Sequence, residues 1–163
     1  MLLSIDGHRV RPLESLVDLA LFMGIKMDWI TDSVAIGNRI DAHDPKLRSQ
    51  HGFLGLISLD GSMTNEKALA LGYDDWVCAS MVDGHGNDIE SFRKLVQGLT
   101  DMAEGSSPVL VHCHAGRSRS VTVVAGYLVK TRGWTAQAAY DFISSKRDTA
   151  VQDGLPMLLS KLG

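Results

Sequence analysis

The sequence predicts an α/β domain with a central, mostly parallel sheet flanked by helices, and three observations carry that reading. Short apolar or alternating runs bounded by turn residues recur along the chain. Longer stretches with apolar residues spaced by three and four fall between and after them. The two kinds alternate in order, as a parallel sheet with crossover helices requires. The strand segments are 33–36, 53–59, 75–79 and 108–113. Asp88 stands as an N-cap before a helix in which Ile89, Phe92, Leu95, Val96 and Leu99 repeat at three and four, and that helix ends near Gly105. Residues 118–132 form a mostly apolar, therefore central, helix stopped by Gly133, and Thr135 caps a third helix running to about residue 147.

A chain of 163 residues, 45% hydrophobic and 21% charged, fits one domain able to bury a core without disulfides or a metal. The opening stretch reads separately, with a hairpin turn at Asp6-Gly7 and a helix over about 13–23, as an addition to that domain. The longest apolar run, 19–25, has seven residues, so neither a signal peptide nor a membrane span is expected. Two cysteines, Cys78 and Cys113, are too few for a disulfide framework and point to a reducing, cytoplasmic location. The net charge of -3 argues against a general nucleic-acid binder, but it is unevenly spread: residues 1–111 carry -7 and residues 112–163 carry +4. A monomer is the default expectation.

The positive end contains PVLVHCHAGRSRSVTVVAGYLV, residues 108–129: an apolar strand, a short polar loop with Gly116, then an apolar helix. Such a turn aims successive backbone N–H groups at one spot and adds the positive end of the helix dipole, which makes an anion site about the size of phosphate. Arg119 at the helix start can clamp two anion oxygens. Cys113 opens the cradle, where the field that holds an anion also favours a thiolate. Helix N-termini and nearby cations bring cysteine pKa values from about 8.5 into the range of roughly 3.5 to 7.5. Gly116 supplies a positive φ that lets the loop curl.

Residues 112–120, HCHAGRSRS, resemble the signature of protein tyrosine phosphatases, and Ala115-Gly116 with Ser118-Arg119-Ser120 is most similar to the dual-specificity branch. The resemblance continues upstream in MDWITDSVAIGNRI and HGFLGLISL and downstream in 138–147. It implies a dual-specificity phosphatase-like catalytic domain over 27–163, with 1–26 an N-terminal extension packed on it.

The resemblance implies that Cys113 attacks phosphorus and becomes a phosphocysteine, while Arg119 and the backbone of His114, Ala115, Gly116, Arg117, Ser118 and Arg119 bind the phosphoryl oxygens. It makes Ser120 the hydroxyl that stabilises the departing thiolate; read alone, Ser120 is equally a helix cap. The family's general acid is an Asp about 30 residues before the cysteine, and Asp83 fits better than Asp88, with Gly84 and Gly86 allowing its loop to move. His112 is expected to be buried and hydrogen-bonded. His114 and Arg117 are expected at the pocket mouth, where they favour acidic substrates or simply solubility. His85 is a weaker candidate for substrate contact, and Cys78 reads as a buried cysteine or, less readily, as an oxidation partner of Cys113. No cofactor or metal is implied: His112, Cys113 and His114 are adjacent on a strand and so alternate in direction, with no second pair at metal spacing.

The leading functional reading is hydrolysis of phosphotyrosine, with phosphoserine or phosphothreonine as further protein substrates. The alternatives are the same chemistry on a phosphoinositide, a phosphorylated glycan or a nucleotide, and a phosphate-binding module without turnover. Absence of paired lysines in the loop favours protein or aryl phosphate over inositol phosphates.

Overall fold

The structure, a computed structural model, describes residues 3–5, 8–10 and 27–162. Strands β1 (Leu3–Ile5) and β2 (His8–Val10) pair antiparallel with Ile5 opposite His8. That is the pairing a two-residue hairpin turn at Asp6-Gly7 demands; the turn itself and the helix expected over 13–23 lie outside the described residues.

The main sheet has five strands in the order β3 (Asp28–Trp29), β4 (Val34–Gly37), β7 (Val109–His112), β5 (Gly55–Ser58), β6 (Asp75–Cys78). All neighbours are parallel except the β3–β4 pair. The three central strands are buried along their whole length, which explains why they read as continuous apolar runs rather than alternating ones. The alternation survives in three dimensions. Ile36, Ile57, Val109 and Val111 join one core, while Ala35, Leu56 and Leu110 join another on the opposite face.

The first core is covered by α4 (Ile89–Gly105), α5 (Arg119–Arg132), α6 (Ala136–Lys146) and α7 (Leu155–Ser160), through Phe92, Val96, Leu99, Val124, Leu128, Ile143 and Leu158. The second lies under the shorter helices α1 (Arg39–Ala42), α2 (Pro45–His51) and α3 (Asn65–Leu71), around Leu47, Phe53, Ala68 and Tyr73. Tyr73 is buried with its hydroxyl donated to the Ala42 carbonyl at 3.0 Å, so its one polar atom is satisfied. No described helix is long and apolar enough to cross a membrane.

Helix ends follow the side chains present. Asn38 and Asp41 form a reciprocal capping box at α1, each side chain accepting the other's backbone N–H at 2.9 Å. Thr135 caps α6, and Gly133 ends α5 at φ 68°. Asp88 caps α4 by accepting from the Ser91 N–H at 2.9 Å. Replacing Asp88 by Ala leaves an orphan helix donor, so urea unfolding should show a stability loss of about 1 kcal/mol as a lower midpoint at unchanged slope.

Candidate active site

The carboxyl ends of β4, β7 and β5 are level: Gly37 stands opposite His112, and His112 opposite Ser58. Ligand sites of open parallel sheets form just beyond such ends. Here β7 runs into Cys113 and the loop that delivers the chain to α5. The carbonyls of this loop are tied outward. Cys113 O accepts from His112 Nδ1 (3.1 Å), His114 O from Arg39 N (3.0 Å), Arg117 O from Ala150 N (2.9 Å), and Ser118 O from Thr122 N (3.0 Å). Across a planar trans peptide the next N–H points opposite to the carbonyl. The amides of His114, Ala115, Ser118 and Arg119 are therefore turned to the inner side of the loop, and α5 begins at its end.

Gly116 explains why the loop can curl this tightly. Its φ is +71°, and a Cβ would lie 2.5 Å from Gly37 O and 2.9 Å from Arg147 Nη2. Neither the conformation nor the space accepts a side chain. Arg147 lies behind the loop, buried, donating through Nη1 to Ile36 O at 2.7 Å and to Asp28 Oδ2 at 3.0 Å. Burial pushes its pKa down and Asp28 opposes that.

A cleft of about 530 Å³ opens over the loop, lined by Cys113, His114, Ala115, Arg117, Ser118 and Arg119, and across from them by Asp83, Arg39 and Asp60. Cys113 is 2% exposed and forms part of this lining, at the base of an open site and not sealed in the core. Gly116 and Ser120 do not line the cleft: the glycine is behind it, and Ser120 is inside α5 with Oγ 3.2 Å from Cys113 Sγ. Ser118, not Ser120, occupies the N-cap position, and its hydroxyl makes no cap bond.

The Arg119 guanidinium is steadied by Met81 O at 3.2 Å, and its Nε is buried without a hydrogen-bond partner in the protein. The Nε atoms of Arg48, Arg117 and Arg147 are likewise buried without one. Arg39 and Arg117 are each engaged, Arg39 Nε with Asp60 Oδ2 at 2.9 Å and Arg117 Nη2 with Asp148 Oδ2 at 2.8 Å. Asp60 also accepts from the Ser62 N–H and hydroxyl, and these bonds with Arg39 outweigh burial, holding its carboxyl well below the usual range.

Asp83 reaches the loop directly, its Oδ1 accepting from Ser118 Oγ at 2.6 Å. Asp88 is occupied as the α4 cap. In the loop that carries Asp83, Asn87 accepts from Val82 N at 2.9 Å and donates to Val82 O at 2.8 Å and Gly84 O at 3.2 Å. His85 lies outside the cleft lining, with its ring and backbone so close to Gly154 that a Cβ there would meet it at 2.7 Å. Cys78 sits two strands from His112 in the sheet, roughly 10 Å away. It packs against the core on the opposite face from Cys113, too far for a disulfide without backbone movement. Burial raises its thiol pKa.

His112 is fully buried, and its partners fix its tautomer. A carbonyl only accepts, so Nδ1–H donates to Cys113 O, and Nε2 accepts the Ser58 hydroxyl at 2.6 Å. Arg39, Asp60, Asn87, Arg147 and Gln152 escape sequence reasoning. Arg39, just past the end of β4, is the one that the rule for strand carboxyl ends could have flagged.

Residues 34–158 match the family model described as the dual specificity phosphatase catalytic domain. Dual specificity protein phosphatase 1 of Arabidopsis thaliana is 38% identical over 80 residues, 47% of this chain and 40% of that protein. Dual specificity protein phosphatase 5 of Homo sapiens is 39% identical over 66 residues, 40% of this chain and 17% of that one. The chain thus spans less than half the length of these relatives. Among solved structures, PTPMT1 in complex with PI(5)P shares the fold with a TM-score of 0.68 at 21% identity, covering 82% of this chain and 91% of that one.

Burial depresses the His112 pKa to about 4, against a weaker opposing pull from Asp60. The unfolded chain therefore binds a proton between about pH 6.5 and 4 that the native state refuses, so stability is full above pH 6.5 and falls as pH drops through that window. The loss is on the order of 3 kcal/mol by pH 4. Urea titrations of the wild type and His112→Asn across this window should show a steeper pH dependence for the wild type; parallel curves would assign the slope to other groups.

Proposed function

This chain belongs to the dual specificity phosphatase catalytic-domain family, whose chemistry is cysteine-based phosphate ester hydrolysis, and we propose that it acts on phosphotyrosine and on phosphoserine or phosphothreonine of proteins. The observation that carries the mechanism is the convergence of Cys113, Arg119, Ser120 and Asp83 on one inward-facing amide loop. In the proposed first step the Cys113 thiolate attacks phosphorus in line, an S–P bond forms, the P–O bond to the leaving group breaks, and Asp83 gives that oxygen its proton. The amides and Arg119 hold the three equatorial oxygens as charge shifts. Water then attacks the phosphocysteine and surrenders a proton to the Asp83 carboxylate. The S–P bond breaks, inorganic phosphate leaves, and the Ser120 hydroxyl donates to the departing thiolate.

The choice of a protein phosphoresidue is supported by the charge inside the cleft. Arg39 and Arg117 are already paired with Asp60 and Asp148, so positive charge is concentrated at the single phosphate position around Arg119. A polyphosphorylated headgroup would call for cations in surplus around the rim. The complex of PTPMT1 with PI(5)P supports a monophosphorylated lipid as the second reading. A comparison of kcat/KM for phosphotyrosine peptides, phosphothreonine peptides and monophosphorylated phosphoinositides separates the two, and a preference for the lipids would reject the protein reading.

Two substitutions test the chemistry. Cys113→Ser should remove turnover, a loss of at least about 10⁴-fold, while leaving phosphate-ester binding measurable by calorimetry, because a hydroxyl is not ionised near neutral pH. Asp83→Asn should lower kcat/KM by about 10² or more on phenyl phosphate and far less on an aryl ester whose phenol is strongly acidic. An Asp88→Asn effect larger than that of Asp83→Asn would transfer the acid role.

A further inference from the structure

We propose that Ser118 is a positioning residue for the general acid, aiming Asp83 and its proton at the leaving group from within the phosphate loop. The proposal rests on the reading of Asp83 as that acid. Ser118 is 6% exposed and stands at the N-cap of α5, where a serine hydroxyl ordinarily accepts a backbone N–H of the first turn. This one does not. Its Oγ instead accepts the backbone N–H of Gln152 at 3.0 Å, which turns its own hydrogen away from Gln152 and toward Asp83 Oδ1 at 2.6 Å. The hydroxyl therefore has a fixed direction, as donor to Asp83.

Two consequences follow from the chemistry of a carboxylic acid. With Oδ1 engaged as an acceptor, the proton of the acid form is directed to Oδ2, the oxygen left to meet a leaving group. The carboxyl is also held from both ends: Asn87 pins the backbone on either side of it at Val82 and Gly84, and Ser118 pins the side chain. Since Ser118 belongs to the loop that binds the phosphoryl group, acid and phosphate are registered to each other through one residue. The acid is thereby preorganised in the free protein, without waiting for a lid to close. Gln152 enters only through its backbone, so its side chain is not constrained by this role.

The test is a double-mutant cycle of Ser118→Ala and Asp83→Asn, read as kcat/KM on phenyl phosphate and on an aryl phosphate with a strongly acidic phenol. Ser118→Ala should cost about tenfold on phenyl phosphate and less than about twofold on the activated ester. In the Asp83→Asn background the same change should cost less than about twofold on either ester, and Ser118→Thr, which keeps the hydroxyl, should recover most of the loss. Equal losses from Ser118→Ala on both esters, or losses that multiply with those of Asp83→Asn, would overturn the proposal while leaving Asp83 as the acid. If Asp83→Asn itself shows no dependence on the leaving group, the acid assignment fails and this proposal with it. Should Ser118→Ala fail to unfold cooperatively, Ser118→Gly removes the same hydroxyl with less bulk and carries the same expectations.

Discussion

The contact on which the site depends is a backbone-to-backbone approach, Gly116 against Gly37, with the Arg147 guanidinium beside it. A side chain at either glycine would be closed out: at Gly116 by the Gly37 carbonyl, at Gly37 by the Asp41 carboxylate at 2.9 Å. Because nothing intervenes, the loop after β7 can fold back over the end of β4, and Arg39 N can reach His114 O. Arg147 closes the gap from behind by joining the Ile36 carbonyl to Asp28. A buried cation is costly unless paired and hydrogen-bonded, and Arg147 is both. Its charge also lies on the far side of the loop from the cleft, where it adds to the positive field the loop amides create.

Strand register does the rest of the positioning. Gly37, His112 and Ser58 are neighbours across three parallel strands, so the residue just past each strand end arrives at the same height. His112 converts that register into an orientation for Cys113. Burial keeps the ring neutral, the Ser58 hydroxyl occupies one nitrogen, and the other can only donate, which it does to the carbonyl of Cys113. A protonated His112 would reverse the Ser58 bond, its Nε2–H donating to the hydroxyl oxygen.

What is legible in the sequence divides by sequence separation. Cys113 to Ser120 occupy eight consecutive positions that follow a strand, include a glycine and end in a helix start, the pattern expected of an anion loop. The central strands and the helices α4, α5 and α6 are long or apolar enough to declare themselves, to within a residue or two at each end. The two-residue β3, the four-residue α1 and the six-residue α7 are each shorter than two periods of their pattern, so no periodicity marks them. The supports of the site are illegible for another reason. Arg147 meets Ile36 across 111 positions and Gln152 meets Ser118 across 34, and no local spacing encodes such a meeting. Asn87, a single side chain, bonds the backbone neighbours of Asp83 on both sides, a contact that the glycines at 84 and 86 do not announce.

The segment after α6 shows how few residues suffice to brace a functional loop from outside. Asp148 pairs with Arg117, Ala150 N–H donates to Arg117 O, and Gln152 N–H donates to Ser118 Oγ, so three residues of this short irregular segment meet the rim. The Arg117–Asp148 pair is largely exposed on the acid's side, and exposed pairs contribute only about 0–1 kcal/mol, so its weight in stability is small. Its consequence is electrostatic. With Arg117 and Arg39 each matched by a carboxylate, the rim is close to neutral, and the strong field is confined to the short span between the α5 N-terminus, Arg119 and the loop amides. A charge about 4 Å from a unit charge feels roughly 1 kcal/mol in water and about 4 kcal/mol where water is partly excluded. Discrimination between an anion seated in the loop and one held at the rim therefore follows from exclusion of water as much as from the number of cations, and the 2% exposure of Cys113 marks the excluded end of that gradient.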